Sequence, residues 1–246
     1  MPLGPKRPSN EPEFVRLLTA ILARDEAGPD RFLRQVVQSA MGMSDQVLVL
    51  DDGSEDDTVA VCQEAGAIVV SRETLTPKEA PPTPAWGAES AARRDLWELA
   101  IGAAEACKAW VLFQDADMIL SADPRPLTVT KALNTWLWPL YDKWEPGKYR
   151  ADGYWQAHHF ARAWMVNPFR VPEGWVAEWS TRGIHCGHLP SNWVMWGSIA
   201  PPQYYWIHEA YSTPGARQRK HGQYLSQRDQ LTPEELAHAN SIMDPE

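Results

Sequence analysis

Three short apolar runs constrain the fold of this chain more than any other feature: "FVRLLTAILA" at residues 14 to 23, "QVLVLDDGS" at 46 to 54 and "AIVVSRE" at 67 to 73. Between the first two, "DEAGPDRFLRQVVQSAMG" places Phe32, Leu33, Val36 and Val37 at helical spacing, which predicts a helix capped by Asp30 and stopped by Gly42. Between the second and third, "SEDDTVAVCQEAG" predicts a helix that opens at Ser54 or Asp56 and closes at Gly66. The leucines of the first run leave a helix reading open for its first half. The rhythm of strand, helix, strand, helix, strand calls for right-handed crossovers and a mostly parallel sheet covered by helices.

The rhythm continues for one more unit. An alanine-rich helix over Glu89 to Lys108 delivers the chain to "WVLFQDADMILSADP", residues 110 to 124. Its first four residues, Trp110 to Phe113, read as a buried strand, and Asp115 and Asp117 follow at the carboxyl end. Ligands of open α/β sheets bind beyond the carboxyl ends of the strands, so both acids stand where a ligand would be. The stretch between the third run and this helix holds Pro77, Pro81, Pro82 and Pro84 and reads as a loop. Beyond residue 125 the pattern loosens. "TVTKALNTWLWPLYDKW" predicts helix up to Pro139, and residues 149 to 205, aromatic and punctuated by Gly and Pro, predict short strands and loops. "LTPEELAHANSIM" predicts a closing helix with a capping box of Thr232 and Glu235 and Pro233 in its first turn. No internal repeat is visible.

At 246 residues and 44% hydrophobic content, the chain can bury one large α/β domain without disulfide staples. No apolar run approaches the ~18 residues of a membrane helix, and "MPLGPKRPSNEPE" lacks the apolar core of a secretion signal. Residues 1 to 12 read as a mobile tail. Cys62, Cys107 and Cys186 are far apart and outside paired spacing, which suits reduced thiols in a cytoplasm. A net charge of −9 argues against a protein that coats a large nucleic-acid surface, while leaving room for a local basic site. Thirteen tryptophans accompany only five phenylalanines. Platforms for sugar rings or bases, and plain core packing, are both open readings of them.

An Asp-X-Asp triplet just past a strand can present both carboxylates to one divalent cation. A hard cation such as Mg²⁺ or Mn²⁺ then bridges to the oxygens of a diphosphate and neutralises charge on a phosphate leaving group. Solvated loops produce the same triplet often; its position after "WVLF" sets this one apart.

In combination, "LVLDDGSEDDTVAVCQEAGAIVVSRE", "ESAARRDLWELA" and "WVLFQDADMIL" resemble the nucleotide-sugar-binding half of the family 2 glycosyltransferases, over roughly residues 14 to 124. The resemblance implies a glycosyltransferase-A fold: an α/β, Rossmann-like, mostly parallel sheet flanked by helices, with an aromatic-rich C-terminal acceptor region. It divides one continuous domain into a nucleotide-sugar half, 13 to 124, and an acceptor half with a C-terminal helical segment, 125 to 246. It implies a metal-dependent transfer of a sugar from a nucleoside diphosphate sugar to an acceptor hydroxyl, with inversion as the first reading and retention left open by Cys186. The acceptor class stays open among a glycan, a small molecule and modified nucleic acid.

Residue by residue, the resemblance puts the donor nucleotide against Ala23, Asp51, Asp52, Arg93, Asp115, Arg217 and Lys220. Asp52 matches the acid that accepts a hydrogen bond from the base; a turn and helix cap are the plain alternative for Asp51 and Asp52. Arg93 matches the arginine of the family's Ala-Arg-Asn segment, but Arg94 replaces the asparagine, so either arginine can face the site, and a helix-surface ion pair is the alternative. The metal ligands implied are Asp115, Asp117 and His208, with Mn²⁺ or Mg²⁺ as cofactor and Asp117 as the more direct ligand. His208 stands in "YYWIHEAYSTPGARQRKHGQYL" ahead of Arg217, Arg219 and Lys220, with His221 as second choice; a basic surface with a packed histidine is the alternative.

The catalytic base falls among Glu173, Glu178 and Glu209, with Glu178 first and a salt bridge to Arg182 as its alternative. In "RGIHCGHLP" Cys186 replaces the glutamate of some relatives, and His158 and His159 read equally well as structural. Two rival classes remain. A nucleotidyltransferase usually has a Gly-rich phosphate loop after its first strand, where "ILARDEAGPD" offers one glycine. A non-catalytic carbohydrate- or nucleotide-binding module would not need Asp115, Asp117 and His208 together.

Overall fold

The first run forms β1 (Arg16–Ala23), in which Leu17, Ala20 and Ile21 are fully buried, as a strand covered by helices on both faces requires. It pairs in parallel with β2 (Gln46–Asp51) on one side and with β4 (Ala109–Asp115) on the other, and β3 (Ile68–Ser71) extends the sheet beyond β2. The connections are α1 (Leu33–Met43), α2 (Thr58–Glu64) and α3 (Glu89–Cys107). This computed structural model describes residues 16–75, 89–130, 133–151, 155, 162–171, 173–179, 187–193, 197–226 and 228–243. The N-terminal tail, the proline loop and the residues His158, His159, Arg182 and Cys186 lie outside the described residues.

Local departures from expectation have simple causes. Asp30 adopts φ 58° and does not cap α1; its carboxylate accepts from Thr213 Oγ1 at 2.8 Å instead. Gly42 lies inside α1, which ends one residue later where Ser44 turns extended. The second helix starts at Thr58, not at Ser54 or Asp56, yet Asp56 Oδ1 still accepts from Thr58 N at 2.9 Å. Gly66 closes that helix with φ 96°, a left-handed conformation that favours glycine.

The expected helix before Pro139 does not form. After a 3₁₀ turn at Arg125–Val129, the chain makes β6 (Thr135–Trp138) and β7 (Leu140–Glu145) on either side of that proline. The segment "TWLW" is β-branched and aromatic, and Trp136 and Trp138 are buried, a strand's preference that outweighs the helical reading. β6 joins the large sheet through β9 (Arg162–Val166), which runs antiparallel between it and β4; β10 (Gly197–Ile199) closes the far edge. The order is β10-β6-β9-β4-β1-β2-β3.

A second sheet, β5-β11-β7-β8, is built from β5 (Met118–Leu120), β11 (Trp206–His208), β7 and β8 (Lys148–Tyr149). Trp138, Trp164 and Trp206 are at most 1% exposed and pack between the sheets with Leu17, Leu112 and Tyr204. Trp97 stacks on Phe113 at 5.3 Å and meets Trp193 edge-on at 5.3 Å, with Trp175 and Trp179 around it. For these tryptophans, core packing is the reading that holds. The final helix, α5 (Pro233–Ser241), carries the expected capping box of Thr232 and Glu235. An unexpected helix, α4 (Pro214–Leu225), precedes it, with Thr213 as its cap. Arg219 Nη1 donates to Asp30 O at 2.8 Å, which ties α4 to the loop after β1. No helix among the described residues is long and apolar enough to cross a membrane.

Candidate metal and nucleotide site

Strand register lines up the acids. Ala23 pairs with Asp51 and Leu22 with Asp115, so the carboxyl ends of β1, β2 and β4 open on one edge of the sheet. Asp51 is buried and its carboxylate accepts from Ser54 N at 3.3 Å, a turn-holding contact. Ala23 O accepts from Asp52 N at 3.0 Å. The Asp52 carboxylate meets Arg72 Nη1 at 2.6 Å and Arg24 Nη1 at 3.7 Å, and Asp95 on α3 holds Arg72 from its other side at 2.7 Å.

Asp115 is the last residue of β4 and Asp117 lies in the turn that leads to β5. Arg93, 8% exposed, places Nη2 2.6 Å from Asp115 Oδ1, while Arg94 is half exposed beside Asp95. Of the two arginines, Arg93 is the one that faces Asp115. Burial pushes the Asp115 carboxyl up, but Arg93 and His188 outweigh it and hold it well below the usual carboxylate range.

The second sheet brings the distant residues in. Met118 pairs with His208, and His208 with Asp142, so β5, β11 and β7 set one histidine between two aspartates. His208 Nδ1 lies 2.6 Å from Asp142 Oδ1, and its Nε2 lies 3.4 Å from Asp117 Oδ2. Asp142 is fully buried. From α4, Lys220 Nζ reaches within 3.6 Å of the same Asp117 oxygen. Burial would lower the His208 imidazole, but Asp117 and Asp142 push it up to about 10. Asp117 is held low against burial by His208 and Lys220.

Asp142 escaped the sequence reading because nothing local marks it; only the β7–β11 register gives it a role. His188 and Glu26 escaped as well. Glu26, in the loop after β1, pairs with Arg31 at 2.7 Å, and burial together with Asp117 pushes its carboxyl up to about 7 despite Arg31. Arg217 is held elsewhere: its Nη1 donates to Trp144 O and Tyr211 O, both at 2.9 Å, and its guanidinium covers the Trp144 ring. His221 is half-buried on α4 next to Lys220. Glu209 is buried against Lys143 at 2.8 Å. Glu173 and Glu178 are exposed.

Asp117 and His208 fit a hard or borderline divalent cation. One offers a carboxylate oxygen, and the other an imidazole nitrogen whose opposite nitrogen is fixed by Asp142, as ligating histidines usually require. Among the described residues no three His, Cys, Asp or Glu side chains form a complete ligand set. A ligating imidazole must be neutral. The imidazolium's contribution to stability is full below its unfolded value near 6.5 and is lost as pH rises through about 10. Cation binding competes with that proton across the same window. Mn²⁺ affinity is expected to rise with pH, with about one proton released per ion at pH 7; titration calorimetry in buffers of different ionisation enthalpy measures this, and pH-independent affinity would exclude His208 as ligand.

These acids lie at the carboxyl edge of an α/β sheet, with Lys220 of the basic helix α4 beside them. No protein-family model matches the chain. Among curated proteins it is similar to the glucosyl-3-phosphoglycerate synthase of Mycolicibacterium smegmatis, 39% identical over 92 residues, which is 37% of this chain and 26% of that protein. The match bears out the resemblance to glycosyltransferases. The chain spans about a quarter of that relative's length. Among solved structures, a mycobacterial protein superposes with a TM-score of 0.37 at 26% identity, covering 54% of this chain and 42% of its own. The glucosyl-3-phosphoglycerate synthase of Mycobacterium tuberculosis, in complex with Mn²⁺, uridine-diphosphate-glucose and phosphoglyceric acid, does so at 0.36 and 25%, covering 52% and 44%. Superpositions at this level place no residue of this chain.

Proposed function

We propose that this protein transfers a sugar from a nucleoside diphosphate sugar to an acceptor hydroxyl, with Mn²⁺ or Mg²⁺ held by Asp117 and His208. The observation that carries the reading is the line Asp142, His208, Asp117, Lys220 at the carboxyl edge of the parallel sheet. When bound, the cation neutralises charge that develops on the diphosphate leaving group. Lys220 adds a fixed positive charge on the same side. Asp52, between Arg72 and Arg24, accepts from the base, and Ala23 and Asp51 shape the floor beneath it. Arg93 and Asp115 border the sugar end of the donor. Arg217 acts through its anchorage on Trp144, which fixes α4 and so Lys220.

The curated match supports a hexosyl donor, glucose first. Glu178 serves as base toward the acceptor hydroxyl in an inverting transfer. Its loop is held by Ser191 N donating to Glu178 O at 2.7 Å and Glu178 N donating to Asn192 Oδ1 at 3.0 Å, which leaves the carboxylate exposed. The test is a thermal-shift screen of nucleotide sugars with Mn²⁺ and with chelator. Stabilisation that needs both donor and cation is expected; equal donor affinity in excess chelator would sink the reading, because the diphosphate would then face Asp117 unscreened.

Asp52→Ala is expected to weaken nucleotide binding by about tenfold, the scale of one hydrogen bond to a charged group, while leaving Mn²⁺ affinity unchanged. Calorimetry with uridine diphosphate and with Mn²⁺ alone separates the two. Retained nucleotide affinity with lost cation affinity would move Asp52 out of the base site.

A further inference from the structure

Asp115 Oδ1 is approached from two directions: Arg93 Nη2 from α3 at 2.6 Å, and His188 Nε2 from the loop 187–193 at 2.9 Å. The His188 side chain is only 15% exposed, and its ring lies 4.6 Å from that of Trp164 on β9. The loop has no regular secondary structure, so side chains must anchor it. At its far end Trp193 Nε1 donates to Thr135 Oγ1 at 2.8 Å. At its near end Gly187, with φ 81°, turns the chain, and the contact of His188 with Asp115 follows directly. Between these anchors Ser191 and Asn192 clasp the segment 173–179 around Glu178, at 2.7 and 3.0 Å.

We infer that His188 is a positioning residue, which ties the paired loops 173–179 and 187–193 to the Asp115 carboxylate at the end of β4. Asp115 is then the post that α3 and the Glu178 loops share, and the cation is left to Asp117 and His208. The role of these loops as the acceptor side rests on the function proposed above; their tie to Asp115 does not.

Hydrogen exchange on the full-length protein tests the tie. His188→Phe keeps a ring against Trp164 but removes the polar contact, and it should speed exchange at the Glu178 and Ser191 amides about tenfold. His188→Gln keeps a nitrogen donor and should restore most of the protection. Asp115→Asn should loosen the same amides, and the double variant with His188→Phe should add nothing further. Wild-type exchange in His188→Phe, or additive effects in the double variant, would overturn the inference and leave His188 as packing against Trp164. Mn²⁺ affinity of His188→Phe should stay within about twofold of wild type; a larger loss would refute the division of roles between Asp115 and Asp117. Failure of the wild-type protein to bind Mn²⁺ at all would instead count against the proposed function, with the exchange results still standing.

Discussion

His208→Ala is expected to weaken Mn²⁺-supported binding of uridine diphosphate by about 10 to 100-fold at the least, the scale on which even the supporting contacts of a metal site are felt. The reasoning is geometric. His208 is 9% exposed, its Nδ1 is fixed by a fully buried Asp142, and its Nε2 is directed at Asp117. Alanine removes one of the two protein donors and leaves Lys220 as the only one of these two cations near the Asp117 carboxylate. Calorimetry at limiting Mn²⁺ reads the loss, and far-UV circular dichroism checks that the fold survives. Asp142→Asn, which keeps an oxygen toward Nδ1 but not the charge, should fall between wild type and His208→Ala. Full affinity of the alanine variant at limiting Mn²⁺ would remove the assignment and leave α4 as an ordinary basic surface.

The largest stability effect is expected at Trp206. Its indole is fully buried, 6.1 Å from the Trp138 ring and 5.6 Å from that of Trp164. Trp206→Ala opens a cavity between the two sheets and should cost about 3–5 kcal/mol in chemical denaturation. Because His208 lies two residues along the same three-residue strand, cation affinity should fall with it. Trp206→Phe, which refills part of the volume, should recover much of both. A Trp206→Ala variant within about 1 kcal/mol of wild type would show that the intersheet core relaxes around the gap.

Much of the fold up to residue 124 was legible in the sequence because its signals are local. Apolar runs such as "QVLVLD" can only be strands covered on both faces, and helices between them force parallel pairing; acids placed after such runs must arrive at the carboxyl edge. The capping box of α5 was equally readable, since Thr232 and Glu235 satisfy each other within one turn. The region after residue 125 resisted because its apolar residues serve contacts between sheets rather than a period along one element. "TWLWPLYDKW" reads as helix by composition, yet it is two strands that belong to different sheets with Pro139 between them.

The sequence by itself determined the parallel sheet, the edge on which Asp51, Asp52 and Asp115 open, and the candidacy of Asp117 and His208. Tertiary structure alone decided their partners. That Arg93 rather than Arg94 faces Asp115 follows from which side of α3 is buried. That Asp142 holds His208 follows from a parallel pairing between strands 66 residues apart. The anchorage of Arg217 on Trp144, and of Arg219 on the loop after β1, likewise depends on where α4 docks. Such contacts leave no periodic trace, because the residues they join are neighbours only after the two sheets have packed.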